Sequence, residues 1–173
     1  HMDDTRVYAV ASGKGGVGKT TTAAALGSCA AAAGLSAVVV DADLGMGNLA
    51  SVVGVEDAAP TLHDVLAGDA APEDAVLSVE GDFDVIPGGL ALEAFAQADP
   101  AGLREVVAHL RGHYDVVVLD SGAGLSHETV LPLGLADEVV LVTTAEDISV
   151  ANTATTREVT ERLDVPVRGA VVT

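Results

Sequence analysis

Gly13-Lys14-Gly15-Gly16-Val17-Gly18-Lys19-Thr20-Thr21-Thr22 is the stretch on which the fold turns. An apolar run from Val7 to Ala11 precedes it, and an alanine-rich helical pattern from Thr20 to Ala33, closed by Gly34, follows it. The residues satisfy G-x-x-x-x-G-K-S/T in strand, loop, helix order, the context that separates a phosphate-binding loop from a chance glycine-rich turn. Gly13, Gly15, Gly16 and Gly18, with Val17 between them, let successive backbone N–H groups turn inward around phosphate oxygens. The helix opening at Thr20 and Thr21 adds its positive end. Lys19 is expected at the β- and γ-phosphates of a nucleotide, and the Thr20 hydroxyl on a magnesium ion.

Outward from this loop, apolar runs alternate with amphipathic stretches. Val7 to Ala11, Ala37 to Val40, Phe83 to Ile86, Val116 to Leu119, Val139 to Val142 and Val167 to Val172 are short and β-branched, and they are mostly apolar on both faces. This is the pattern of strands buried between two helical layers, and it predicts six of them. Helical patterns fall between, at Pro72 to Leu77, Gly102 to Leu110, Ser126 to Leu135 and Ser149 to Leu163, with a short turn after Thr61 closed near Gly68. Repeated βα units predict a three-layer α/β fold of the P-loop NTPase kind, with a mainly parallel central sheet and helices on both faces. Ligands then bind at the carboxyl ends of the strands. Residues 3–173 read as one such domain, and His1-Met2 as a vector-derived pair. The uncharged run from Ala23 to Val40 is mostly alanine and is broken by Gly27, Ser28, Gly34 and Ser36, so it reads as helix, turn and buried strand rather than a membrane span. With no signal peptide pattern, the expected location is the cytoplasm, with peripheral attachment to the inner face of the cell membrane left open.

Three carboxylates stand where such a loop needs them. Val116-Val117-Val118-Leu119 ends in Asp120, placed to hold magnesium through a water. Ser121-Gly122-Ala123-Gly124 then reads as a flexible segment whose amides meet the γ-phosphate. At the end of the second strand, Asp41-Ala42-Asp43-Leu44-Gly45-Met46-Gly47-Asn48 offers Asp43 to position or deprotonate the attacking water, and Asp41 nearer the outer shell of the metal.

The composition excludes other classes. Of 173 residues, 26 are acidic and 8 basic, a net charge of −18. A chain this acidic has no general attraction for phosphate backbones, so nucleic acid is not an expected direct partner. The single cysteine, Cys29, rules out a disulfide framework or a zinc ribbon within one chain, and its place in the first helix suits a buried small side chain. Only two lysines occur, Lys14 and Lys19, and both lie in the loop. Acid-rich, lysine-poor composition of this kind is expected of a protein from a cell with molar internal salt, where screening acts over about 3 Å. The melting midpoint should therefore rise between low and molar KCl in a thermal scan. His63, His109, His113 and His127 show no metal spacing with one another and are expected on helix surfaces or in loops. Pro87-Gly88-Gly89 reads as a turn at the end of the third strand.

These residues resemble the deviant Walker A ATPases of the MinD/ParA class, most closely the MinD branch. The resemblance is carried by Lys14 to Thr21, Asp41-Ala42-Asp43-Leu44-Gly45, Thr61-Leu62-His63-Asp64-Val65-Leu66, Ile86-Pro87-Gly88-Gly89, Asp120-Ser121-Gly122-Ala123-Gly124 and Ala136-Asp137-Glu138-Val139. It implies an ATP-hydrolysing switch that binds ATP or ADP with Mg²⁺ and closes into a homodimer around ATP, and that answers to a protein regulator stimulating hydrolysis. The lysine matching Lys14 would cross the dimer interface to the partner's phosphates, and Asn48 would sit near the γ-phosphate side of that interface. Gly122 and Ala145 replace prolines common in the family. The family continues beyond the position of Thr173, with residues that read adenine and, in many members, a membrane-binding helix; membrane contact would come only through such a segment. Rival readings are a ParA-like partition ATPase, which would need a basic surface; an iron–sulfur carrier, for which Cys29 supplies too few thiolates; and a nucleotide-dependent interaction module with negligible hydrolysis.

Overall fold

A computed structural model of the chain describes residues 4–12, 18–45, 47–89, 99–123, 127–144 and 167–172. Its centre is a seven-stranded sheet in the order β3-β4-β2-β5-β1-β6-β7. The strands are β1 (Arg6–Ser12), β2 (Ala37–Asp41), β3 (Leu77–Val79), β4 (Phe83–Ile86), β5 (Val116–Ala123), β6 (Glu138–Thr143) and β7 (Val167–Val172). Every pairing is parallel except that of β3 with β4. Helices α1 (Lys19–Ala32), α2 (Leu49–Val53), α3 (Leu62–Leu66), α4 (Leu103–Arg111) and α5 (His127–Leu135) complete the described fold.

Side chains alternate across a strand, so apolar runs without polar interruption feed two cores at once. Val7, Ala9, Val38, Val40, Val117 and Leu119 point to one face and pack with Leu62 of α3, Leu103, Val107 and Leu110 of α4 and Leu133 of α5. Val10, Ala37, Val39, Val116 and Val118 point to the other and pack with Ala23 of α1 and Leu49 of α2. The expected three-layer α/β arrangement with helices on both faces is thus built directly from the apolar runs.

The sheet has one strand more than the apolar runs predict. Pro72 to Leu77 is not a helix: Pro72–Ala75 forms one 3-10 turn, the Asp74 carboxylate accepts the Ala71 amide at 3.1 Å, and Leu77 already belongs to β3. A three-residue antiparallel edge strand, half exposed, has no apolar run to announce it. The turn after Thr61 is a helical segment, α3, with the Thr61 amide donating to Asp64 at 2.8 Å in a capping box. Cys29 is exposed rather than buried. The pattern from Ser149 to Leu163 and the departure at Ala145 lie outside the described residues.

Two details show how tightly the sheet is held. Gly27 of α1 lies against the sheet so closely that an added Cβ would stand 2.7 Å from Val39 Cγ2 and 2.8 Å from Phe83 Cδ2. Gly27→Val should cost about 1–3 kcal/mol through overpacking, while Ala25→Val on the exposed side of α1 should cost only a few tenths; thermal melts of the two variants check this. At the amino ends of the strands, Arg111 holds Asp137 through two hydrogen bonds of 3.0 and 3.1 Å, and the Val7 amide donates to the same carboxylate at 2.8 Å. Partial burial works against ionisation there, but the Arg111 guanidinium and the Val7 amide outweigh it and hold the Asp137 carboxyl below its ordinary value.

Candidate functional site

The parallel register delivers the chemistry to one end of the sheet. β2 and β5 are paired so that Asp41 lies directly beside Asp120, and Val10 of β1 lies on the other side of Asp120. The Ala42 amide donates to the Asp120 carbonyl at 2.9 Å, which carries the pairing one residue past the end of β2. Asp41, at the end of β2, and Asp120, inside β5, therefore become neighbours although 79 positions apart in the chain (120 − 41).

Lys19 enters this cluster from the first turn of α1. Gly18 precedes it with φ 86°, a left-handed conformation that glycine adopts without strain, and the Gly18 carbonyl accepts the Thr22 amide at 3.0 Å. The chain thereby turns sharply into the helix and sends the Lys19 ammonium inward, where it pairs with Asp120 Oδ1. Lys19 is 9% exposed and Asp120 0%. The Thr20 hydroxyl lies beside the same carboxylate. Burial pushes the Asp120 carboxyl up from its ordinary value, with Lys19 pulling the other way.

Asp41 is 1% exposed and meets amides instead of a cation. Its Oδ1 accepts the Asp43 N–H at 3.3 Å and its Oδ2 the Leu49 N–H at 3.2 Å. Burial first, and then the neighbouring Asp120 charge, raise its pKa to about 7. The backbone closes over it: a Cβ on Gly47 would fall 2.5 Å from Asp41 Oδ2, so that position admits no side chain without moving the loop.

Two buried oxygens have no hydrogen-bond partner among the described residues, Asp120 Oδ2 and Ser12 Oγ. A buried carboxylate oxygen without a donor is costly unless something completes it. Asp120 Oδ2, the Thr20 hydroxyl and Asp41 form a hard-oxygen donor set of the kind that holds magnesium through one or two protein groups, with water and phosphate supplying the rest. Among the described residues no three His, Cys, Asp or Glu side chains converge on a metal position by themselves.

Of the expected site residues, the structure brings together Gly18, Lys19, Thr20, Asp41, Asp43 and Asp120. Thr21 is exposed on the first turn of α1, Asp43 is half-buried, and Asn48 is exposed at the start of α2. Gly13, Lys14, Gly15, Gly16 and Val17 lie outside the described residues. Ser121 and Gly122 depart from expectation: they belong to β5, which runs on to Ala123, and the Ser121 hydroxyl donates to the Val10 carbonyl at 2.6 Å. Both are buried within β5, at the point where its register with β1 shifts between Val10 and Ser12, rather than left as a loose loop. His63, expected on a surface or in a loop, is 1% exposed and bonded through both ring nitrogens. Among the described residues no helix is long and apolar enough to cross a membrane.

The fold is shared with known proteins. The family model AAA_31, described as an AAA domain, matches residues 5–165. An uncharacterized ATP-binding protein of Methanocaldococcus jannaschii is 38% identical over 164 residues, which is 95% of this chain but 62% of that relative, so the chain spans about three fifths of its length. The septum site-determining protein MinD of Pyrococcus horikoshii, solved with Mg-ADP, superposes with a TM-score of 0.89 at 37% identity, covering 97% of this chain and 70% of that one. MinD in the MinC:MinD cell division complex of Aquifex aeolicus superposes with a TM-score of 0.78 at 27% identity, over 97% of this chain and 67% of that one.

Proposed function

The chain belongs to the MinD/ParA family of P-loop ATP-binding proteins, and from that premise we propose that it is an ATP-hydrolysing switch which closes into a homodimer around ATP and Mg²⁺. The observation that carries this reading is the buried Lys19–Asp120 pair with the second Asp120 oxygen unpartnered beside Thr20 and Asp41. A lysine held on a buried carboxylate is a cation already desolvated. Arriving phosphates would offer it a stronger anion, leaving Asp120 free to help hold a magnesium ion.

In this reading Thr20, Asp120 and, in the outer shell, Asp41 hold magnesium, which supplies neutralisation of charge on the phosphate oxygens. Gly13 through Thr21 wrap the phosphates, with Gly122 and Asn48 closing the γ-phosphate side. Lys19 stabilises the subunit's own nucleotide, and Lys14 reaches that of the partner. Asp43 orients the attacking water or takes its proton. Hydrolysis needs no covalent intermediate; positioning and charge stabilisation suffice. The likeness to MinD from Pyrococcus, and to MinD in complex with MinC, supports a role in placing cellular machinery through a protein partner that reads the closed dimer.

Phosphate release under ATP and Mg²⁺ is the direct test, and no turnover above the no-protein control would overturn the hydrolytic reading. Lys14→Ala should still bind ATP but stay monomeric. Light scattering of that variant with ATP reports the result, and an intact dimer would remove the interface role from Lys14.

A further inference from the structure

His63 stands apart from every group named so far. It lies in α3, on the core face of the sheet opposite α1, and is 1% exposed. Its Nδ1 receives the Gly89 N–H at 2.6 Å, and its Nε2 lies 2.8 Å from the Leu44 carbonyl. An amide can only donate, so Nδ1 is unprotonated, and the ring proton sits on Nε2 and is given to Leu44. The ring is a neutral rod with one acceptor end and one donor end.

Those two ends grip different loops. Leu44 follows Asp43 in the loop after β2, and Gly89 lies in the segment after β4. Both loops bear on Asp41: a Cβ on Gly88 would stand 3.1 Å from Asp41 Oδ2, and one on Gly47 closer still. The far side of the rod is anchored as well. The Leu62 amide donates to the Pro87 carbonyl at 2.7 Å, and a Cβ on Gly89 would stand 3.1 Å from the His63 ring. α3 and the β4 exit therefore form one rigid support, and the Nε2–H bond to Leu44 ties the Asp43 loop to it.

We propose that His63 is a positioning residue for the hydrolytic step, fixing the place of the Asp43 carboxylate by holding the Leu44 carbonyl. This rests on the proposed hydrolytic role of Asp43. His63 acts on that step through the Leu44 carbonyl, and a displacement of the order of 1 Å at a reacting group is enough to cost about 100-fold in rate.

Two substitutions separate the two ends of the ring. The Asn amide oxygen reaches the position of Nδ1, and the Gln amide nitrogen that of Nε2. His63→Asn therefore keeps the Gly89 bond and releases Leu44; His63→Gln does the reverse. Each loses one buried hydrogen bond, so their melting temperatures should fall by similar amounts. The proposal expects His63→Asn to lower kcat about 10- to 100-fold with KM for ATP little changed, and His63→Gln to keep most of kcat. It also expects hydrogen exchange at the Asp43 and Leu49 amides to quicken about tenfold in His63→Asn and to stay near the unsubstituted rate in His63→Gln. Equal effects of the two variants on both readouts would reduce His63 to a structural residue and overturn the proposal. If the unsubstituted chain shows no turnover but the exchange rates split as expected, the hydrolytic reading fails while the hold on the Asp43 loop stands.

Discussion

Lys19→Ala should weaken ATP binding by at least about 100-fold and, in the nucleotide-free chain, lower stability by about 3 kcal/mol. Both effects come from the same burial. Lys19 lies 9% exposed against an aspartate that is 0% exposed, with Asp41 in register beside it. Removing the ammonium strips the phosphate site of a cation in a place where solvent screens little, and it leaves Asp120 buried next to a second carboxyl without its partner. The two consequences can be told apart. In Lys19→Ala with Asp120→Asn the unpaired charge is gone, so stability should return most of the way, while ATP affinity should not. Calorimetric titration with ATP and Mg²⁺ together with denaturant melts of the two variants and the unsubstituted chain makes the comparison. Retained affinity in Lys19→Ala would remove the phosphate-loop assignment.

The legibility of this site in the sequence follows from which interactions are local. Gly18, Lys19 and Thr20 are consecutive and form their arrangement within one turn, so a spacing pattern captures them. Asp41 and Asp120 are far apart in the chain, yet each ends an apolar run, and parallel pairing of such runs sets their ends side by side. Carboxylates that close apolar runs in a βα-repeat are therefore readable without coordinates. β3 shows the opposite case. Leu77–Val79 is stabilised by pairing with β4 and by little of its own, so Pro72, Asp74 and the alanines around them spoke for a helix. Propensity loses to an edge that needs covering.

His63 and Ser121 were illegible for another reason. The bonding of His63 is to backbone groups 19 and 26 residues away, and neither Leu44 nor Gly89 advertises a carbonyl or an amide in its side chain. No metal-like spacing exists to find, because the ring serves as a hydrogen-bonded spacer rather than a ligand. One signal was present in Gly89 itself, since a glycine after Pro87-Gly88 leaves room for something to press against the backbone, and the His63 ring does so. Ser121 likewise bonds to the Val10 carbonyl across the sheet, which keeps Ser121-Gly122 in β5 although the residue types suggest a loop. The site behind the phosphate loop is thus stiffer than its glycine and serine content implies.

That stiffness bears on Asp43. The residue is half-buried, its amide is tied to Asp41 Oδ1 at 3.3 Å, and its charge adds to the load that raises both Asp41 and Asp120. A carboxylate kept where it disturbs two others costs the folded state something, and the proposed water-positioning role gives a reason for the cost. Asp43→Ala should therefore dissociate two properties. Turnover should fall by about 10²- to 10⁴-fold, the usual contribution of a placed general base, with ATP affinity within a few-fold of the unsubstituted chain. Stability should hold or rise slightly, because a repulsive neighbour of Asp41 and Asp120 has been taken away. With hydrolysis blocked and binding intact, the ATP-bound dimer should accumulate, and light scattering with ATP should show it persisting where the unsubstituted chain returns to monomer. Single-turnover phosphate release and a thermal melt on the same preparation decide the matter: normal turnover in Asp43→Ala would move the water-positioning role to another group, and a large loss of stability would make Asp43 a structural member of the loop instead.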